Sequence, residues 1–344
     1  MTGRSDGDAP FPPASGRSAQ ALPPGSLLEH LQPTLHRTFR LAGDALRFET
    51  DDDRVLALAD ALFSTYGPAT SDTADPLVLR VLVHAPAEPV PTFAKPMFRT
   101  HGHLFTVVLG PHDSGAADLL AGRAFAIVTP ALVDVSWRLQ QQVLAALALG
   151  MLGPARGYLP MHAACLTKGG RSVLIHGPSG AGKSTFTYAA VRRGYQVVTE
   201  DSLHIGGAGE PQVWGIPWQF QLLPDAIRFF PELEGLEPRL KANGEWKLDV
   251  DLARLHPGRV AASAPLGPLL LLNRRPGPTS IERVPGAEAA TLVEPVWPWQ
   301  VGWTPAHQAL LDDVVRRGVH RFTTGAEPDA MVDALDAFLA GPEA

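Results

Sequence analysis

The sequence predicts an α/β fold in which a phosphate-loop domain follows a smaller α+β domain. Three observations carry this expectation. A short apolar run at residues 172–176 leads directly into Gly177-Pro178-Ser179-Gly180-Ala181-Gly182-Lys183-Ser184, which fills every fixed position of the G-x-x-x-x-G-K-[ST] pattern. That loop opens a helix over residues 183–193, and a second strand follows at residues 196–199. The 344-residue length leaves room for one large domain or two.

Composition narrows the class. Hydrophobic content of 45% and charged content of 19% are ordinary for a globular chain. A net charge of −6 with no basic face argues against a nucleic-acid partner. No apolar window reaches the roughly 20 residues of a membrane span, so no membrane partner is expected. The first residues, MTGRSDGDAP, lack the apolar core of a signal peptide. With a single cysteine, Cys165 in an apolar run, the expected location is cytoplasmic and the thiol reads as buried and inert.

The elements follow in order. Residues 1–26 are rich in Pro, Gly, Ser and Ala and read as a disordered tail. The N-terminal domain, residues 27–152, begins with strands at 38–41 and 46–49 around a turn at Gly43-Asp44. Asp51, Asp52 and Asp53 then start a helix, better read as cap and first-turn charges than as a metal site. A strand at 77–83 and a hairpin turning at His101-Gly102-His103 come next. Those two histidines, with no third ligand near, read as turn residues. A strand at 125–129 precedes a helix over 134–149, whose stop is Gly150. Residues 151–159 read as a Pro/Gly linker, and the phosphate-loop domain occupies 153–344.

In that domain, strands are expected at 203–205, 213–216, 267–273 and 281–284. A helix is expected over 222–233, and a hairpin turn at Asn243-Gly244. Thr304-Pro305 starts a helix that stops at Gly318, a strand covers 319–322, and a closing helix spans 330–339.

The loop's chemistry follows from its residues. Glycines allow a tight turn with N–H groups aimed at a phosphate, and the helix start adds its positive dipole end. Lys183 reaches the outer phosphates, while the Ser184 hydroxyl is a natural Mg²⁺ ligand. The cofactor-binding set is therefore Gly177, Pro178, Ser179, Gly180, Ala181, Gly182, Lys183, Ser184 and Thr185, with a nucleoside triphosphate as ligand. Asp201 closes the strand after the loop helix, where strand ends converge. It can hold Mg²⁺ or accept the proton of an attacking hydroxyl. His162 taken alone reads as structural.

The stretch from His162 to Asp201 resembles the HPr kinase/phosphorylase family. A His162-Ala163 step, the loop GPSGAGKS, then Arg193-Gly194 and a strand ending in Glu200-Asp201 match its pattern. His162 lies 21 residues before Lys183 and Asp201 lies 18 after it. The resemblance implies an HPr-kinase-like P-loop domain and an ATP- and Mg²⁺-dependent kinase acting on a protein, peptide or small-alcohol hydroxyl, with serine as the expected acceptor. It implies catalytic roles for His162, Lys183 and Asp201, and metal contacts from Ser184 and Asp201. The chain departs from the family at Thr185, where a glutamate is usual, and at Gln212, where the family has a Mg²⁺-binding glutamate. The family's hexamers make a homo-oligomer one open state, which nothing in these residues specifies. Two alternatives remain open: a nucleotide-binding protein without kinase activity, and a phosphorylase or hydrolase of the same fold. Arg239, Lys241 and Lys247, on a charged hairpin, are candidate phosphate or substrate contacts.

Overall fold

The computed structural model describes residues 33–68, 75–86, 95–207, 209–216, 220–241, 244–293, 295, 301–325 and 327–341. The expected tail at 1–26 and Asn243 of the expected hairpin turn lie outside them. Among the described residues the fold is mixed α/β with four sheets.

The first sheet has seven strands in the order β1-β2-β3-β7-β6-β5-β4. They are β1 (Leu35–Leu41), β2 (Asp44–Thr50), β3 (Leu77–Val83), β4 (Met97–His101), β5 (Leu104–Val108), β6 (Ser114–Asp118) and β7 (Arg123–Val128). The β1–β2 turn is Ala42-Gly43 rather than Gly43-Asp44, with Ala42 at φ 53° and Leu41 paired to Asp44. Between β2 and β3 runs α1 (Asp53–Phe63). Its acidic entry is structural. Asp52 accepts from the N–H groups of Arg54 and Val55, and the Asp51 carboxylate accepts from the Val83 N–H at 2.9 Å. His103 likewise faces Asp118 at 2.9 Å, beside the turn. Strand β6 was not expected, because its sequence SGAAD carries no β-branched residue. A Cβ at its Gly115 would sit 2.9 Å from Leu147, so glycine is what lets the helix behind the sheet approach.

That helix corrects the linker reading of residues 151–159. After short helical pieces at Pro130–Asp134 and Ser136–Arg138 and a π-helical segment at Leu139–Ala145, α2 (Ala146–Arg156) runs through Gly150 and Pro154. Leu147, Leu149, Met151 and Leu152 are buried in the same core as Leu79, Val107 and Phe48. Burial of that apolar face outweighs the poor helix propensity of glycine and proline. The stop is Gly157, in the left-handed conformation at φ 76°, with its N–H on the Gly153 carbonyl at 2.9 Å.

The remaining strands are β8 (Leu159–Met161), β9 (Ala164–Lys168), β10 (Arg171–His176), β11 (Gln196–Thr199), β12 (Leu203–Gly206), β13 (Gln212–Trp214), β14 (Gln221–Leu222), β15 (Arg239–Leu240), β16 (Trp246–Asp249), β17 (Ser263–Pro265), β18 (Leu269–Arg274), β19 (Ser280–Arg283) and β20 (Val319–Thr324). Six of them form the sheet that carries the loop, in the order β11-β9-β10-β18-β20-β19. Strands β10, β18 and β20 are parallel, and β9 is antiparallel to both β10 and β11.

Side chains of this sheet alternate between two cores. Ala164, Leu166, Val173, Ile175, Leu270 and Leu272 face one of them, with Phe186 of α3 (Lys183–Arg192) and with Met331 and Leu335 of α5 (Pro328–Ala340). Ala163, Cys165, Leu174 and Leu269 face the other, with Val314 of α4 (Pro305–Arg317) and with β8, β12 and β13. A sheet covered on both faces explains the near-continuous apolar runs of β10 and β18. Cys165 is fully buried, and burial pushes its thiol up to about 12. The helix expected over 222–233 is instead two 3₁₀ turns, Pro224–Arg228 and Pro231–Leu233. The second proline cannot donate within a continuous α-helix. Among the described residues, no helix is long and apolar enough to cross a membrane.

Candidate functional site

The loop Gly177 to Gly182 joins the end of β10 to the start of α3. Gly180 and Gly182 take positive φ values of 79° and 88°, and a Cβ on either would meet nothing within 4 Å. They bend the chain tightly while leaving the space above it open. Gly177 is fixed for another reason: its Cβ would lie 2.9 Å from the Leu272 carbonyl of neighbouring β18. The Ala181 N–H closes a turn on the Pro178 carbonyl at 3.1 Å.

Lys183 is buried although charged, and its Nζ donates to the Gly177 carbonyl at 2.8 Å. Burial lowers its pKa, while Asp201 and Glu200 pull it back up. The next residue, Ser184, donates its hydroxyl to Glu200 at 2.6 Å. Glu200 is 4% exposed, and its other oxygen accepts the Gln221 backbone N–H at 3.2 Å. Burial is the main cause that raises its pKa to about 7.

Asp201, one residue on, turns the other way. Its carboxylate lies 3.4 Å from His162 Nδ1, with both side chains open to solvent. His162 does not directly precede the loop strand, because the β9–β10 hairpin intervenes. The hairpin folds the start of β9 back beside the end of β10, where His176 Nδ1 donates to the His162 carbonyl at 2.7 Å. Burial holds the His162 imidazole below its ordinary value against the pull of Asp201, and Lys183, His176 and Lys247 push the same way as burial.

Lys183, Ser184, Asp201 and His162 share one cavity of about 460 Å³, which Glu200 does not itself line. His162, the loop from Ser179 to Thr185, and Asp201 are among its lining residues. Gln221, Asp225, Arg228, Glu245, Lys247 and Arg274 complete the polar lining. Of the hairpin cations, Lys247 reaches the cavity, while Lys241 and Arg239 turn to Asp249. Gln212 is not among the lining residues. It sits at the far end of β13, paired with Gly206, and its amide donates to the Glu210 carbonyl at 3.4 Å.

Sequence reasoning gave Glu200 no role of its own, and it missed Gln221. One signal for Glu200 was present: it is the first of the two acidic residues that directly follow the strand after the loop helix. No comparable signal marks Gln221, whose approach depends on a two-residue strand.

Chemically, the arrangement offers an open glycine-lined turn at a helix start, a buried lysine, a serine–carboxylate pair and a second carboxylate beside an imidazole. Ser184, Glu200 and Asp201 could hold a divalent cation. Among the described residues, no three His, Cys, Asp or Glu side chains form a metal cluster. A cation would therefore complete its shell with phosphate oxygens and water, as Mg²⁺ commonly does.

No protein-family model and no curated protein matches the chain. Among solved structures, it is similar to the HPr(Ser) kinase/phosphatase from Coxiella burnetii, at 14% identity and a TM-score of 0.28, over 53% of this chain and 99% of that one. A likeness that loose carries no weight for mechanism, which rests on the geometry above.

Proposed function

We propose that this chain is an ATP- and Mg²⁺-dependent kinase that transfers the γ-phosphoryl group to a hydroxyl, with a serine of a protein or peptide, or a small alcohol, as acceptor. The observation that carries this reading is the joint presence of Lys183, Ser184, Asp201 and His162 in the lining of a single cavity. A phosphate-binding loop alone would support nucleotide binding. An exposed carboxylate beside it supplies the proton acceptor that transfer needs.

In this reading the loop from Gly177 to Thr185 cradles the β- and γ-phosphates. Lys183 leaves the Gly177 carbonyl for a phosphate oxygen. Ser184, with Glu200 and Asp201 nearby, would hold Mg²⁺, which would neutralise charge on the phosphates. Asp201 accepts the proton of the acceptor hydroxyl as its oxygen bonds to the γ-phosphorus. The bond from that phosphorus to the bridging oxygen breaks, and ADP departs. His162, with its Nδ1 3.4 Å from the Asp201 carboxylate, orients Asp201.

Two other readings use the same cavity: a protein that holds nucleotide without transferring it, and an enzyme that removes phosphate from the modified acceptor. Asp201→Asn tests the choice. Phosphoryl transfer should fall about 10²–10⁴-fold with ATP affinity nearly intact. Transfer at the wild-type rate would remove Asp201 from the chemistry. Bound ATP with no transfer to any hydroxyl acceptor would favour the nucleotide-holding protein.

A further inference from the structure

Resting on the kinase reading, we infer that Asp249, acting through Gln221, is a positioning residue for the Glu200 carboxylate, and hence for the place where a divalent cation would meet Ser184. The structure contains a continuous run of polar contacts from the surface to the loop. Lys241, with its side chain only 10% exposed, is ion-paired to Asp249 Oδ1. Its ammonium also lies 5.8 Å from the centre of the Trp137 ring, which comes from the N-terminal part of the chain. The same Asp249 oxygen accepts from Gln221 Nε2 at 3.1 Å, and Arg239 stands 3.7 Å from the other oxygen. The backbone N–H of Gln221 then donates to Glu200, whose second oxygen accepts from Ser184.

Two features make this more than a surface ion pair. Gln221 lies in β14, a two-residue strand held by β16 through the pairs Gln221–Asp249 and Leu222–Leu248. So short a strand has little pairing of its own. The peptide that carries the Gln221 N–H is held by its Phe220 carbonyl, which accepts from the Val250 N–H at 2.9 Å, and the side-chain clasp between Gln221 and Asp249 adds a second hold on it. Glu200 is buried, so losing that donor would leave a carboxylate oxygen poorly satisfied and free to rotate away from Ser184. Asp249 does not itself line the cavity.

The test measures, on the full chain, ATP affinity without metal and the Mg²⁺ concentration giving half-maximal enhancement of ATP binding. Asp249→Ala should raise that Mg²⁺ concentration about tenfold and leave metal-free affinity within about twofold, in line with the loss of groups that orient metal ligands. Asp249→Asn keeps an acceptor for Gln221 and should return the requirement to within about threefold of wild type. In the nucleotide-free protein, the Gln221 amide should exchange hydrogen faster in Asp249→Ala and not in Asp249→Asn. The inference is overturned if Asp249→Ala leaves both the Mg²⁺ requirement and the Gln221 exchange unchanged, or if it lowers metal-free and metal-dependent binding in step. A wild-type chain that binds no ATP at all sinks the kinase reading and this inference together. ATP binding with an indifferent Asp249→Ala sinks the inference alone.

Discussion

The Ser184 hydroxyl, in the first turn of α3, donates to the Glu200 carboxylate at 2.6 Å, while the adjacent Asp201 faces His162 instead. Two neighbouring carboxylates are thus committed to different partners. Glu200→Gln keeps an oxygen for Ser184 but removes the charge. The Mg²⁺-dependent part of ATP affinity should fall about 10–100-fold, with metal-free binding unchanged. Isothermal titration with and without Mg²⁺ measures both. Equal Mg²⁺ enhancement in variant and wild type would exclude Glu200 from the metal site.

Lys183→Met removes a buried ammonium that already spends its hydrogen bond on the Gly177 carbonyl. A charge-assisted bond is worth about 1.5–3 kcal/mol, so ATP should bind about 10–100-fold more weakly under every reading of the reaction. An unchanged dissociation constant would mean that the loop does not hold the phosphates.

The stability of the fold should depend on pH through His204. This histidine lies in β12, and burial pushes its pKa down to about 4. A group whose folded pKa lies below its unfolded value of about 6.5 stabilises the fold above that value and loses the contribution as pH falls toward 4. Melting temperature should therefore drop between pH 6.5 and 4, and His204→Gln should flatten that part of the profile. A profile of the same slope in the variant would assign the acid sensitivity to other groups.

Phe186 couples the loop helix to the sheet. It is fully buried and meets Phe322 edge-on, with ring centres 5.5 Å apart. Phe186→Ala should cost about 3–5 kcal/mol of unfolding free energy, read by urea denaturation. A loss below about 1 kcal/mol would mean that the core closes around the gap.

Much of the loop-bearing sheet was legible because its strands are apolar runs bounded by glycine, and because the loop pattern fixes a strand before it and a helix after it. Residues Gln196 to Thr199 and Leu77 to Val83 fall where their patterns put them. What escaped was set by contacts distant in sequence. Gly150 and Pro154 stay helical because Met151 and Leu152 have a core to enter. Strand β6 is held by its pairing with β5 and β7, where a Cβ at Gly115 would crowd Leu147 and Ala126. At the site, the loop, Lys183, Ser184 and Asp201 were read from the motif and its flanks and His162 from the family resemblance; Ser179 to Thr185, Asp201 and His162 border one cavity. Glu200's tie to Ser184 and the approach of Gln221 needed tertiary structure. Gln212 was singled out from a local pattern, yet strand pairing sets it opposite Gly206, at the other end of β13 from the Trp214–His204 pair.

The helix that continues through Gly150 and Pro154 also bears on how this chain can be dissected. His307 of α4 lies 3.1 Å, by its Nε2, from the Gly153 carbonyl, and a Cβ on Gly302 would collide with Pro154. The last turn of α2 is therefore gripped by elements from the far end of the sequence. Truncation at residue 152 would split one helix between two fragments and bare Met151 and Leu152 on the first of them. A recombinant phosphate-loop fragment would be better begun beyond Gly157, with the helix left whole on its partner, and limited proteolysis should spare the peptide bonds between 146 and 156.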